Sequence, residues 1–388
     1  MSRDLILVAL SLLTWGLGEG MFLFIQPLYL EVLGASPQEV GNIIGAVGVA
    51  MTVAHIPAGF LADRVGRRPL MWAAWILALV AAWVMALASS LTIFVAGLLF
   101  YSTTAFVMSP MSSYITAARG KMSVGRALTI VSASYNIGAI LGPALGGWVG
   151  DQYGFQPVYL ISASVFVVST LIILLIRSQP VDRHSQHTET TRFAIDRRYL
   201  VYLGIVFLAM FVTYLPQPLS PNYLKNVHSL TVAQIGQLGS VANLGIVLLN
   251  LTLGHLPARL GFLLAQGTVA VFALALWQGT GMPAFIIGYF HVGGYRVARS
   301  LATAQTRQYT HAANMGLAYG VTETLSTSAT ILAPPLAGYL YTQQPTLMYV
   351  LTIGLIGISL IVSAIFAPRP EASEKLAVRE SQTRLKGA

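Results

Sequence analysis

The chain has 388 residues, of which 55% are hydrophobic and only 9% charged, with a mean hydropathy of +0.70. A water-facing surface takes roughly 25% charged residues, so this composition excludes a soluble enzyme, a disordered chain and a nucleic-acid binder. There is no cysteine, which removes disulfide frameworks, thiolate metal sites and thiol nucleophiles. The net charge of +9 is read first as topology, because basic residues in a membrane protein mark the side on which they remain.

Apolar runs occupy residues 5–32, 38–61, 70–88, 91–117, 127–149, 157–177, 199–224, 231–257, 262–278, 282–306, 312–341 and 346–367. Each is long enough for a membrane span of about 20 residues. Lipid requires every backbone group to be satisfied within its own segment, so all twelve are expected as helices of an all-α membrane protein. The first run is long, lacks a small-residue cleavage site and follows only Arg3, so no removable signal is expected.

The basic residues then sort by side. Arg3 precedes span one, Arg64, Arg67 and Arg68 lie between spans two and three, and Arg119, Lys121 and Arg126 between four and five. A further group between spans six and seven, single arginines at 259 and 307, and the tail bring the total on this side to nineteen of 22. Lys225 alone lies on the other side, while Arg296 and Arg299 fall inside span ten. The asymmetry predicts a multi-pass protein of the cytoplasmic (inner) membrane with both termini in the cytoplasm.

The one long polar segment divides the chain into a six-helix bundle over 1–177, a cytoplasmic linker over 178–198, a second six-helix bundle over 199–367 and a cytoplasmic tail over 368–388. The halves repeat each other. Leu141-Gly-Pro-Ala-Leu-Gly-Gly147 recurs as Leu332-Ala-Pro-Pro-Leu-Ala-Gly338, and Gly59-x-Leu-x-x-Arg-x-Gly66 recurs as Gly254-x-Leu-x-x-Arg-x-Gly261. Two bundles joined by a cytoplasmic linker are the build of transporters that rock around a central cavity at the midplane.

In span one, Glu19 is an ionisable group inside the bilayer, where a charge costs about 2.5–3.5 kcal/mol. Its sharpest reading is a proton-binding carboxylate facing the cavity; a structural hydrogen bonder is the alternative. Helical spacing sets Trp15 and Gln26 beside it. After span two, Gly59-Phe-Leu-Ala-Asp63-Arg64-Val-Gly66-Arg67-Arg68 turns the chain back. Asp63 there can accept hydrogen bonds from a neighbouring helix N-terminus or from the arginines, which would make the loop a latch between halves. In span five, Gly138, Gly142, Gly146 and Gly147 with Pro143 allow close helix approach and a kink.

Span ten brings Arg296 near the midplane, with Arg299 one turn further along the same face. Either could recognise an anionic or hydroxyl-rich substrate, or neutralise Glu323 of span eleven. Counting residues along straight helices puts Glu323 and Arg296 at similar depth, so these two are expected to pair or trade partners. Tyr319, Thr327 and Thr330 flank Glu323, and Tyr101, Tyr135, Asn136, Gln217, Asn243 and Tyr295 are further candidate cavity liners. His55 and His291 lie within spans as relay or filler histidines.

The 59–68 segment resembles the cytoplasmic signature between spans two and three of the major facilitator superfamily, with Gly59, Asp63, Arg64, Gly66, Arg67 and Arg68 on pattern. The span-five run resembles the motif that this superfamily carries mainly in its antiporters. The resemblance covers the whole chain and implies twelve spans around a central cavity, a small-molecule substrate, protons as coupling ion and a monomer in the lipid bilayer. The branch it points to is drug and metabolite efflux. Two departures stand out. Span four has no arginine about a dozen residues before Pro110, where Leu98 stands, and no acid occurs between Tyr114 and Arg126.

No phosphate-binding loop, nucleophile motif or metal-ligand spacing occurs. The expectation is therefore a secondary transporter, with no enzyme activity, cofactor, metal or nucleic-acid partner. Proton-coupled export of a small organic solute is favoured. Uptake of an organic anion or sugar with protons is the alternative, and a lipid-moving or sensor protein a third.

Overall fold

A computed structural model describes residues 1–179, 197–309 and 315–366, with the side chains of 55–64, 309 and 315–317 left aside. The linker and tail thus lie outside the described residues, as do the side chains of His55, Gly59, Asp63 and Arg64. The chain runs twelve times between two ends as helices α1 to α16. Span one is α1 (Arg3–Leu23) with α2 (Gln26–Val32), span two α3 (Pro37–Val65), span three α4 (Arg67–Ala86) and span four α5 (Leu91–Thr103) with α6 (Met108–Ala118). Spans five and six are α7 (Val124–Tyr153) and α8 (Phe155–Leu174). The second half follows the same plan: α9 (Arg197–Tyr214) with α10 (Ser220–Asn226), α11 (Val232–Leu253), α12 (Ala258–Gln278), α13 (Met282–Val292) with α14 (Gly294–Gln305), α15 (Met315–Gln343) and α16 (Leu347–Phe366).

Among the described residues nine helices are long and apolar enough to cross a membrane, counting α5 to α6 as one. The two 29-residue helices α3 and α15 and the α13–α14 pair complete the twelve crossings. Span breaks follow the repeat. Pro27 and Pro221 each stand in the first turn of a short helix, α2 and α10, where a missing N–H costs nothing. Pro27-Leu-Tyr29-Leu30 and Pro221-Asn-Tyr223-Leu224 are copies of one corner, with both tyrosines buried.

In the first half, α1 packs on α7 and α8. The α7 glycines are what permit this: a Cβ on Gly142 would lie 2.6 Å from the Leu17 carbonyl oxygen and 2.7 Å from Gly20 Cα. The next face of α7 turns to the other half, where a Cβ on Gly147 would lie 2.7 Å from Gly236 Cα of α11. One repeat along, α3 crosses α15 in the same way. Gly236 meets the Pro143 carbonyl and Gly41 meets the Pro334 carbonyl, each with no room for a Cβ. The halves are thus joined by two pseudo-symmetric copies of one glycine-on-proline contact.

Polar bonds reinforce that seam. The Asn222 amide donates to the Pro27 carbonyl (3.1 Å) and to Glu31 Oε2 (2.5 Å), and Asn226 donates to Glu31 Oε1 (2.9 Å). The Val232 N–H, at the start of α11, donates to Asp151 Oδ1 (3.1 Å), and Gln38 donates to the Pro335 carbonyl (3.1 Å). Deeper in, Asn243 donates to the Ala139 carbonyl (2.7 Å). All of these lie between the middle of the bundle and the end that carries α2 and α10. Among the described residues no hydrogen bond or ion pair joins the halves at the opposite end, which carries the N-terminus, Arg67, Arg119 and Arg177. Among the described residues the two bundles are clasped at one end only.

Candidate functional site

Glu19 sits in the last third of α1, where both of its oxygens are held. The Tyr101 hydroxyl of α5 donates to Oε1 (2.8 Å) and the Tyr135 hydroxyl of α7 donates to Oε2 (2.7 Å). Two donors on one carboxyl group fit the ionised form, which has about four lone-pair sites and needs no acceptor. The side chain is half-buried. One turn earlier, Trp15 stacks on Phe166 (4.5 Å between centroids) and Tyr101 (6.2 Å) and leans on Trp75 (4.9 Å). Trp75 is fixed in turn by its indole N–H, which donates to Ser169 (3.0 Å). The first half therefore presents a carboxylate beside a braced aromatic surface.

In the second half the pairing differs from the expectation. Glu323 is bound by Arg299, not Arg296, in a close ion pair, and Arg299 also donates to the Thr327 hydroxyl (3.0 Å). The reason lies in span ten, which breaks between α13 and α14 at Gly293, so residue counting along a straight helix misplaces the residues beyond the break. Arg296 is exposed and has no ion pair among the described residues. The helix break three residues before it packs at Gly293 against Gly245 and Ile246 of α11, the helix that also forms the seam with the first half. The rings of Tyr214 and Tyr295 lie 5.2 Å apart.

The remaining candidates scatter. Gln26 is buried at the start of α2, beyond the break, and makes no hydrogen bond to Glu19. Asn136 donates within its own helix to the Ser132 carbonyl (2.9 Å), Gln217 to Thr213 (2.6 Å), and Thr330 back to Thr327 (2.7 Å). Tyr319 is half-exposed and hydrogen-bonds to none of the charged groups. His291 bonds the Ile287 carbonyl of its own helix (2.8 Å). Asn243 belongs to the seam between halves. Of the latch, Gly66 takes φ +88° to start α4, a conformation that favours glycine, and the Arg68 guanidinium lies 3.8 Å over the Trp72 ring.

Sequence reasoning misses the Glu31 clasp, although a signal for it is present. Glu31 and Lys225 occupy equivalent places in the repeated corner, four residues after Pro27 and Pro221, and the charge there differs between halves.

The twelvefold crossing and the internal repeat meet in one comparison. The profile of the Major Facilitator Superfamily matches twice, over residues 8–204 and 201–387. The chain belongs to the Major Facilitator Superfamily. Within this superfamily it is 22% identical over 348 residues to "Multidrug resistance protein 2" of Bacillus subtilis (strain 168), covering 84% of this chain and 85% of that one. Its fold is similar to that of the nucleoside transporter NupG (TM-score 0.77, 15% identity, 94% of this chain and 98% of that one). It is also similar to a D-xylose-proton symporter (TM-score 0.73, 12% identity, 94% and 97%). Membership makes the chain a membrane-spanning transporter of the superfamily, and at these identities the solved structures speak for the fold alone.

Proposed function

We propose that the protein exports a small organic solute across the cytoplasmic membrane in exchange for protons, by alternating access. The observation that carries the reading is Glu19: a carboxylate within the membrane, half-exposed between the bundles, with both oxygens held by tyrosine hydroxyls. A proton arriving there removes the charge that the two donors stabilise and changes the relative stability of the two bundle arrangements. The multidrug-resistance name of the Bacillus relative supports the export direction. The basic residues support termini in the cytoplasm, which makes the clasped end the outer one and the structure inward-facing. Asp63 with Arg64, Arg67 and Arg68 would then latch the inner end in the opposite state, and the Arg299–Glu323 pair with Thr327 would brace the second half.

The test is transport by reconstituted vesicles under an imposed pH gradient, using the solute that best stabilises the protein in a thermal-shift screen of amino acids, nucleosides, sugars, carboxylates and cationic dyes. Wild type accumulates that solute against its gradient, and Glu19→Gln loses accumulation while still exchanging labelled for unlabelled solute. A pH gradient that moves no bound solute, with no proton release on adding solute, overturns the reading. The alternative, proton-coupled uptake of an organic anion or sugar, is favoured by Arg296, which has no ion pair among the described residues, and reverses the sign of accumulation in the same assay.

A further inference from the structure

The two walls of the central space carry fixed charges of opposite sign that do not neutralise each other. On the first-half wall stands Glu19. Two of its lone-pair sites are taken by Tyr101 and Tyr135, which leaves about one on each oxygen. No arginine or lysine forms an ion pair with it among the described residues. Beside it, the half-exposed Trp15 adds an aromatic surface of the kind that attracts cations. On the second-half wall stands Arg296, exposed and without an acid among the described residues. Its neighbour one turn along, Arg299, is already satisfied by Glu323 and Thr327, so Arg296 is the guanidinium this wall offers to a ligand. Tyr135, which donates to Glu19, lies one turn before Ala139, whose carbonyl accepts from Asn243 of α11, and α11 packs at Gly245 and Ile246 against Gly293, three residues before Arg296, so the two charges stand at one level of the seam between the bundles.

We infer that the solute is zwitterionic, with its ammonium group set against Glu19 and Trp15, and its carboxylate or other singly charged oxyanion against Arg296. The inference rests on the transport reading above and narrows its substrate class. Closing the bundles around a ligand removes water from both walls, and a charge so enclosed without a partner is costly. A simple cation satisfies Glu19 but is opposed by Arg296; a simple anion satisfies Arg296 but is opposed by Glu19. Only a solute carrying both charges meets both walls, so selectivity arises as much from rejection of the single charges as from attraction. The ammonium group and a proton compete for the same carboxylate, which ties binding to exchange.

The probes are L-tryptophan and the peptides Trp-Gly, Trp-Ala and Trp-β-Ala, which vary the separation of the charges. Each is used as the zwitterion, as its methyl ester (cation only) and as its N-acetyl derivative (anion only). Binding to purified protein is measured by calorimetry. The best zwitterion is expected to bind at least tenfold more tightly than either of its derivatives. Arg296→Ala should erase its advantage over the ester while leaving the ester within about threefold, and Glu19→Gln should erase its advantage over the N-acetyl form. Arg296→Lys, which keeps the charge, should retain most of the preference and guards against misfolding of the alanine variant. An ester that matches the zwitterion throughout the series, equal weakening of both by Arg296→Ala, or no zwitterion binding at all overturns the inference. Esters driven by a pH gradient with no zwitterion advantage would leave export standing and remove the inference. The expected binding pattern with no gradient-driven movement of any probe would do the reverse.

Discussion

Arg299 sits between two acceptors, the Glu323 carboxylate and the Thr327 hydroxyl, and this decides what its removal does. A partner left alone in a membrane interior is worse off than a pair that was never made. Arg299→Ala and Glu323→Ala are each expected to lower the melting temperature in detergent, and the exchange Arg299→Glu with Glu323→Arg to recover most of the loss. Recovery of stability by the exchanged pair marks a brace; an exchanged pair no more stable than the single variants counts against it. A different residue contributes to acid tolerance. His228, in the turn between α10 and α11, packs on Tyr223 (5.1 Å) and Phe285 (4.8 Å). Burial pushes its imidazole below the usual 6.5, so the unfolded chain takes up this proton first as the pH falls. The folded state thus loses stability below pH 6.5, down to the lowered value. His228→Phe should flatten the dependence of melting temperature on pH in that window relative to wild type.

At the scale of elements the seam between halves is the point most open to manipulation. Gly236→Ala or Gly41→Ala places a Cβ against a proline carbonyl of the facing helix, and backbone on both sides leaves little to yield except the approach of the bundles. Each is expected to widen the clasped end. Because the chain has no cysteine, Val32→Cys and Val227→Cys, both exposed there, can carry spin labels on an unmodified background. A label separation that lengthens in the Gly236→Ala protein supports the seam as the closure element; an unchanged separation counts against it. Much of this architecture is legible in the sequence. The runs, the repeat and the glycine–proline motif of span five give twelve helices and two bundles, since lipid leaves the backbone no other choice. The breaks at Phe24–Ile25 and Gly293 are hidden, because an apolar run reads the same whether or not its helix is continuous. For that reason counting matches Glu323 to Arg296 and passes over Arg299. Tyr101 and Tyr135 reach Glu19 across separations of 82 and 116 residues, which no local spacing encodes. The latch side chains Asp63 and Arg64 lie outside the described residues.

For the whole molecule the clasp sets how easily the two ends exchange. Asn222 and Asn226 together give Glu31 two bonds to a charged acceptor, each worth about 1.5–3 kcal/mol at most. A total of a few kcal/mol favours the clasped arrangement by a factor of roughly 10² to 10⁴, enough to hold the end shut and little enough for a bound ligand or a proton to reverse. Glu31→Ala should therefore move the resting population toward the unclasped arrangement without abolishing transport, read as a longer separation in the Val32–Val227 label pair. The opposite manipulation is sharper. With Glu31→Cys and Asn226→Cys joined by a short, reducible dithiol cross-linker, the clasp becomes covalent and only one arrangement remains. Rocking between two bundles then requires that vesicle transport fall at least tenfold on cross-linking and return on reduction. Solute binding from the parted end, followed by thermal shift, should persist throughout, because Glu19 and Arg296 stay accessible there. Full transport by a fully cross-linked protein would mean that solute passes without opening this end, and alternating access around a single central site would then be the wrong description of the chain.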